Sequence, residues 1–115
     1  MVLSTKGLNA IRTLTKNAIF KCQAGTGTNA PTVADTTLQT PDSTTLLTPT
    51  TTTVSEAIQI THSIASTIGS GKAYSEQETQ LNSGTDNLNR IVHTALTKGS
   101  KDEYNYITTV FFKSV

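Results

Sequence analysis

Residues 54–68, VSEAIQITHSIASTI, carry the strongest periodic signal in the chain. One parity is mainly apolar, and it holds Val54, Ile58, Ile60, His62, Ile64 and Ile68, with breaks at Glu56 and Ser66. The other parity is small or polar, and a period of two is typical of a strand with one buried face. The stretch therefore predicts one long half-buried strand, which ends at a turn made by GSG at 69–71.

Further strand-like stretches lie on both sides of this one, at 18–24, 72–81, 88–98 and 104–113. In the first we expect Phe20 to share a face with Cys22, and in the third we expect Leu88 to share a face with Arg90. Turns rich in Gly, Ser, Asp and Asn separate the stretches. This order predicts a mainly β fold, an antiparallel sheet folded into a β-sandwich.

The stretch 25–53 contains several glycines and prolines, which interrupt regular secondary structure, so it predicts a loop. It is long for a structureless loop in a compact domain. Within it, STTLLTPT at 43–50 predicts a short edge strand, because prolines flank the segment.

The N-terminal segment has two interpretations. Ser4 is a suitable N-cap, and apolar residues then recur at three- and four-residue spacing, which slightly favours a helix over 4–17. Gly7 weakens that helix, and the alternative is an extended arm. The predicted organisation is a helix or attachment arm at 1–17 and a β-sandwich domain at 18–115.

Composition sets further bounds. The 115 residues suffice for one domain, and with 35% hydrophobic and 5% aromatic residues its core must be thin. The chain has 24 threonines, whose stiff side chains favour strands. Their hydroxyl groups keep an exposed strand face hydrated without adding charge. Charged residues make up only 15% of the chain, so copies of it repel one another weakly. This balance is compatible with tight self-assembly.

Charge and cysteine content disfavour several classes of protein. A net charge of +1 with scattered lysines argues against a nucleic-acid or anionic-membrane partner. No apolar run reaches the roughly 18 residues of a transmembrane helix, and the N-terminus lacks the apolar region of a secretory leader. Cys22 is the single cysteine, which excludes an intrachain disulfide and is best interpreted as a small buried hydrophobe.

The run GTGTNA at 25–30 matches the G-x-G-x-x-A form of a dinucleotide-binding turn. That chemistry needs a helix starting at the turn and an acidic residue about 20 positions later. Pro31 comes directly after the run instead, and 44–53 contains only Thr, Leu and Pro. We therefore expect no cofactor, and we expect Gly25 and Gly27 to serve a tight turn or a positive φ.

Other chemical motifs are equally weak. GSGK at 69–72 lacks the first glycine and the final hydroxyl of a phosphate-binding loop, so it predicts a hairpin turn. His62 and His93 have no acidic or cysteine neighbours at ligand spacing, so we expect no metal, and His62 is interpreted as a hydrogen-bonded core or subunit-contact residue. We name no catalytic, cofactor-binding or metal-binding residue.

Two side-chain sets have a functional and a structural interpretation. Glu76 and Glu78 could act on a glycoside or bind calcium, but a solvated strand face, or pairing with Lys72 or Arg90, is the favoured interpretation. A buried Glu76–Arg90 pair across neighbouring strands is the most informative version of it. The aromatics of the C-terminal half could stack nucleobases, but their alternation favours core and interface packing. They are Tyr74, Tyr104, Tyr106, Phe111 and Phe112.

The segment 25–40, GTGTNAPTVADTTLQT, resembles a recurrent loop, GTGTxAPxxxDTxL, of small virion proteins of tailed phages and archaeal viruses. The order of the later motifs is similar: a Gly turn and Glu in GSGKAYSEQE, the Arg-led NRIVHTALTK, and the terminal ITTVFF. The resemblance covers roughly 18–113. It implies a mainly β, jelly-roll-like β-sandwich that serves as a structural component of a tail, fibre, collar or head decoration.

The resemblance also implies a location and partners. We expect a virion protein, assembled in the host cytoplasm, that is not an enzyme. Its partners would be copies of itself and other virion structural proteins, with no nucleic acid and no membrane. The alternative is a receptor- or carbohydrate-binding module at a fibre tip, using a Thr-rich 40–53 loop and exposed tyrosines.

Overall fold

The computed structural model describes residues 3–113, which form one helix and seven strands. In chain order the elements are α1 (Thr5–Ala18), β1 (Ile19–Gly25), β2 (Pro41–Leu47), β3 (Thr50–Val54), β4 (Ala57–Ile64), β5 (Ala73–Leu81), a 3₁₀ turn (Asn82–Gly84), β6 (Asp86–Thr97) and β7 (Tyr104–Phe111). Residues 1–2 of the predicted arm and 114–115 of the predicted sandwich domain lie outside the described range.

The strands form two antiparallel sheets. One has the order β2-β1-β5-β6 and the other the order β3-β4-β7. The predicted antiparallel β-sandwich is confirmed. A jelly roll has eight strands in two Greek keys, so seven strands within the described range do not confirm that finer description.

The core lies between the two sheets in two small clusters. In one, Cys22 of the first sheet packs against Ile58 and Ile60 of the second. In the other, Ala24 and Tyr74 pack against Ile64. The apolar parity predicted for β4 is confirmed, because Ile58, Ile60, His62 and Ile64 are all buried. The buried position of Cys22 is confirmed too.

Two predicted boundaries are wrong. The single strand predicted over 54–68 is interrupted by a two-residue turn at Ser55 and Glu56, where Glu56 has φ 56°, and β4 ends at Ile64. The loop predicted over 25–53 contains β2 and β3. Both are edge strands. The edge strand predicted at 43–50 is confirmed by β2, although β2 begins earlier, at Pro41.

Bulges explain two wrong face assignments. The register of β1 shifts between Ile19 and Cys22, so Ile19 packs on the core cluster and Phe20 is 38% exposed. The register between β5 and β6 also shifts, and Leu88 is the extra residue of β6 at that point. Leu88 packs against the core cluster, whereas the Arg90 side chain reaches Glu76. A bulge adds one residue, which reverses the facing of the residues after it.

The N-terminal helix predicted as one of two alternatives is present. Ser4 caps it, since its Oγ accepts a hydrogen bond from the Gly7 N–H at 3.0 Å. No residue of α1 within the described chain is buried, although Arg12 Nη1 donates to the Val54 carbonyl at 3.2 Å. In residues 3–113 no helix has the length and apolarity needed to cross a membrane.

We expect Ile60→Ala to lower the free energy of unfolding by about 2–5 kcal/mol, because it empties space in a buried cluster. The matched control is Ile107→Ala on the neighbouring strand β7, where the side chain is 61% exposed. That change should cost about 0.5 kcal/mol or less. Urea unfolding of dilute protein measures both, and equal losses would contradict the placement of the core.

Candidate functional site

The carboxylate of Glu76 is the most densely hydrogen-bonded group in the described chain. Its Oε2 accepts from the backbone N–H groups of Gly27 and Thr40, each at 2.8 Å. Its Oε1 accepts from the Gln39 N–H at 2.9 Å and from Arg90 Nε at 3.0 Å. Glu76 is fully buried in β5. We call these five residues the Glu76 clamp.

Gly25 and Gly27 allow the loop to approach this carboxylate. A Cβ on Gly27 would lie 2.5 Å from Glu76 Oε2, and one on Gly25 would lie 2.6 Å from the same atom. Of the two expected roles, a tight turn or a positive φ, the positive φ is wrong for both residues, since the glycines with positive φ in the described range are Gly69, Gly71 and Gly84. The requirement is space for the anion rather than backbone conformation.

Arg90 connects the clamp to the outer part of the loop. Its Nη1 donates to Asp35 Oδ2 at 3.0 Å and its Nη2 to the Asn29 carbonyl at 3.0 Å. Its side chain is only 3% exposed. One guanidinium therefore joins β5, β6 and the loop 26–40, and five donors in a rigid fork suit Arg for this role better than Lys.

The hydrogen bonds decide the charge state of the clamp. Burial by itself raises the pKa of Glu76, but the N–H groups of Thr40 and Gln39, then Arg90 and the Gly27 N–H, outweigh burial and hold the pKa below its usual value. Burial likewise lowers the pKa of Arg90, and Glu76 and Asp35 raise it above its usual value. The clamp is thus an ion pair in the folded protein.

The clamp accounts for the likeness of 25–30 to a phosphate-binding turn. Such a turn directs backbone N–H groups at a bound anion. Here the N–H of Gly27 is directed at an anion of the chain itself, and both oxygens of Glu76 already have two donors each. The chemical effect of this arrangement is to hold the loop on the sheet.

The favoured interpretation of the two glutamates offered a solvated strand face or pairing with Lys72 or Arg90; the solvated face is wrong, and the pairing with Arg90 is confirmed for Glu76. Both are buried, and Glu76 forms the Arg90 pair named as the most informative version. Glu78 accepts from Gln80 Nε2 and Asn87 Nδ2, each at 3.0 Å. The loop 26–40 covers this face of the sheet through its bonds to Glu76, a contact that strand periodicity does not reveal.

A second polar cluster lies between the sheets, around the two histidines. His62 is buried, and its Nε2 lies 2.8 Å from the Thr45 carbonyl, so Nε2 must donate. Its Nδ1 then accepts from Gln77 Nε2 at 3.3 Å. Burial lowers the pKa of His62, and the Thr45 carbonyl offsets part of that effect. The predicted hydrogen-bonded core histidine is confirmed.

Tyr106 separates the histidines. Its ring stacks on His62 with centroids 5.9 Å apart, and its hydroxyl lies 2.8 Å from His93 Nε2. Burial raises the pKa of Tyr106 to about 12, and Tyr104 adds to the effect. His93 Nδ1 lies 2.8 Å from the Thr94 carbonyl and must donate to it, so in the neutral ring Nε2 accepts from the Tyr106 hydroxyl. In residues 3–113 no group of three or more His, Cys, Asp or Glu is placed to hold a metal ion.

An open groove of about 550 Å³ lies where the two sheets end side by side, between β6 and β7. We call it the β6–β7 groove. Each of these strands pairs on one side only within the described structure. The groove is lined by His93, Thr94, Leu96, Glu103, Tyr104, Asn105 and Tyr106.

The aromatic and glycine-rich motifs are structural. Tyr74 is buried and donates to Asp42 Oδ2 at 2.6 Å, and Tyr104 packs edge-on against it. Phe112 packs on the core cluster, while Phe111 stays 62% exposed. A turn is present at 69–72, where the Lys72 N–H donates to the Gly69 carbonyl at 3.1 Å. The predicted hairpin is wrong, because β4 and β5 on either side of this turn belong to different sheets.

Comparison of the chain with protein-family models, with curated proteins and with solved structures finds no significant match.

The clamp should make the protein acid-sensitive. The pKa of Glu76 is lower in the folded protein than its ordinary value of 4.5, so the unfolded chain binds the proton more readily. Stability from Glu76 is therefore complete above about pH 4.5 and is lost as the pH falls through the folded pKa. Glu76→Gln should lower the free energy of unfolding by about 3 kcal/mol at pH 7. The variant should also lose less stability than the wild type as the pH falls, which flattens the acid side of the stability curve, its acid limb.

The control is Glu56→Gln, an exposed carboxylate 3.6 Å from Lys113 Nζ, which should cost about 0.5 kcal/mol or less. Urea unfolding from pH 7 to pH 3 measures all three proteins. Because His62 is present in each, its own loss of stability below about pH 6.5 cancels in the differences. Parallel acid limbs for wild type and Glu76→Gln would contradict a charged clamp.

Gly27→Ala tests the close approach directly. Its new Cβ would collide with Gln39 and with Glu76 Oε2, so we expect a loss of about 1–3 kcal/mol and faster amide exchange at Thr40. Thr28→Ala removes an exposed side chain and keeps the backbone N–H that bonds Gln39. Hydrogen exchange by NMR should separate the two variants. Equal protection of Thr40 in both would disprove the steric requirement.

Proposed function

We propose that this chain is a structural subunit of a virus particle, acting through contacts with copies of itself and with other structural proteins of the particle. The observation that carries the proposal is the set of large apolar side chains on its outside. The most exposed of those on regular elements are Leu14 (69%), Phe111 (62%), Ile107 (61%) and Leu96 (55%).

These side chains are spread over α1, β6 and β7 rather than gathered at one site. Exposed apolar area favours association by about 25 cal/mol for each Å² that a partner covers. Several separate surfaces suit a subunit with several neighbours, and heterologous contacts between such surfaces build rings or filaments.

The shape of the molecule also supports an assembling unit. Its principal extents are 48 × 29 × 24 Å and its radius of gyration is 15.2 Å. A compact domain of this length has a radius of gyration of about 13 Å. An elongated subunit offers more surface for its mass, which favours a role through interfaces.

The resemblance of 25–40 to loops of virion proteins points to the setting. Residues of that motif hold the fold together: Gly27 bonds Glu76, Asp35 bonds Arg90, and Leu38 is 3% exposed. A motif with these contacts is architectural, as expected in a structural protein. We accordingly propose the virion as the location, on a tail, collar, fibre or head decoration.

The alternative function, receptor or carbohydrate binding at a fibre tip, remains a prediction. The two features on which it is based differ from what we expected. Its Thr-rich 40–53 loop is mostly strands β2 and β3. Its tyrosines are engaged internally, since Tyr106 stacks on His62 and Tyr104 packs against Tyr74. These contacts favour the structural role.

The proposal predicts self-association of the purified chain and its presence in particles in many copies. Sedimentation velocity across micromolar concentrations should show species larger than a monomer, and mass spectrometry of purified particles should detect the chain. A chain that is monomeric at every concentration and missing from particles would overturn the proposal.

A further inference from the structure

We propose that α1 of one copy docks into the β6–β7 groove of the next copy, so that the copies associate head to tail. This inference rests on the proposed function, since it names the contact through which the subunit associates with itself. It assigns one occupant, a second copy of this chain, to a surface that is open in the single chain.

The first step is the state of α1. Ile11 and Leu14 are 41% and 69% exposed, and no residue of the helix within the described chain is buried. They are three residues apart, so they lie on one face. A 14-residue helix is marginal on its own in water, and most helical stability in proteins comes from packing an apolar face. A partner for that face would supply the packing that the single chain lacks.

The second step is the chemistry of the groove. Leu96, Tyr104 and Tyr106 give it an apolar wall, and Glu103 gives it a carboxylate. Neither Lys nor Arg is among the described residues that line it. The groove is open and has a volume of about 550 Å³, which leaves room for two aliphatic side chains.

The third step is charge. Residues 1–21 carry four Lys or Arg and no Asp or Glu, whereas 22–115 carry five Lys or Arg and eight Asp or Glu. The N-terminal segment is therefore +4 and the remainder −3. The excess positive charge of the N-terminal segment complements the negative remainder, which includes the Glu103 carboxylate of the groove, and such complementarity sets orientation and association rate.

The fourth step is geometry. The helix joins the sandwich at the end where Ile19 pairs with Leu81, and Arg12 bonds Val54 there. The groove lies at the opposite end, where Tyr104 pairs with Ile64 and Leu96 with Tyr74. The helix of one copy therefore cannot enter its own groove. Complementary surfaces at opposite ends of a body form a heterologous contact, which continues from copy to copy.

Two single variants test the contact, because Leu14→Asp damages only the helix and Leu96→Asp only the groove. In protein dilute enough for the wild type to be monomeric, each should leave thermal unfolding nearly unchanged, since both side chains are exposed in the single chain. Each should weaken self-association by more than about tenfold. The controls are Thr13→Asp and Thr97→Asp, which add the same charge at neighbouring exposed positions and should assemble as wild type.

Mixing the two variants gives the decisive result. The intact helix of the Leu96→Asp chain fits the intact groove of the Leu14→Asp chain, so an equimolar mixture should form dimers and stop there. Wild type should pass beyond dimers, which sedimentation velocity distinguishes.

Either variant assembling as wild type, or a mixture that stays monomeric, would overturn this docking. In both cases association of the wild type would leave the proposed structural role standing. Wild type that is itself monomeric would instead count against that role. Wild type that stops at dimers would overturn the head-to-tail arrangement.

Discussion

The fold depends on keeping one buried negative charge satisfied. A carboxylate without partners in a protein interior is expensive, and Glu76 avoids that cost with three backbone N–H groups and one guanidinium. These donors come from the loop after β1, the residues before β2, and β6. The ion therefore fixes the path of a loop of about fifteen residues that has no regular structure of its own.

Polar packing also compensates for a shortage of apolar residues in the core. The Thr45 side chain accepts from the Ala24 N–H at 2.8 Å, and its carbonyl accepts from His62. Gln77 then bonds the other nitrogen of His62. Both ring nitrogens of His62 therefore have partners, which fixes the orientation of the ring, whereas Gln77 Oε1 is buried without a hydrogen-bond partner. Polar side chains thus occupy core space that a chain richer in aliphatic residues would fill with hydrocarbon.

Local rules recover part of this structure from the sequence. Alternation identifies the buried face of β4 and the strand character of β7, and Ser4 identifies the start of α1. The bulges at β1 and β6 leave no such signal, because one extra residue changes the facing without changing composition. The Glu76–Arg90 pair can be named from the sequence, but its backbone partners cannot, since any residue supplies an N–H group.

The Glu76 clamp also affects how quickly the chain folds. Gly27 and Glu76 are 49 residues apart, and Asp35 and Arg90 are 55 apart, so their contacts close large loops of chain. Topologies dominated by distant contacts fold slowly, because chain entropy is lost before the contacts form. Until β6 is in place, the carboxylate lacks its guanidinium and the loop lacks its anchor. The loop 26–40 therefore acquires its last anchor only when β6 has joined the sheet.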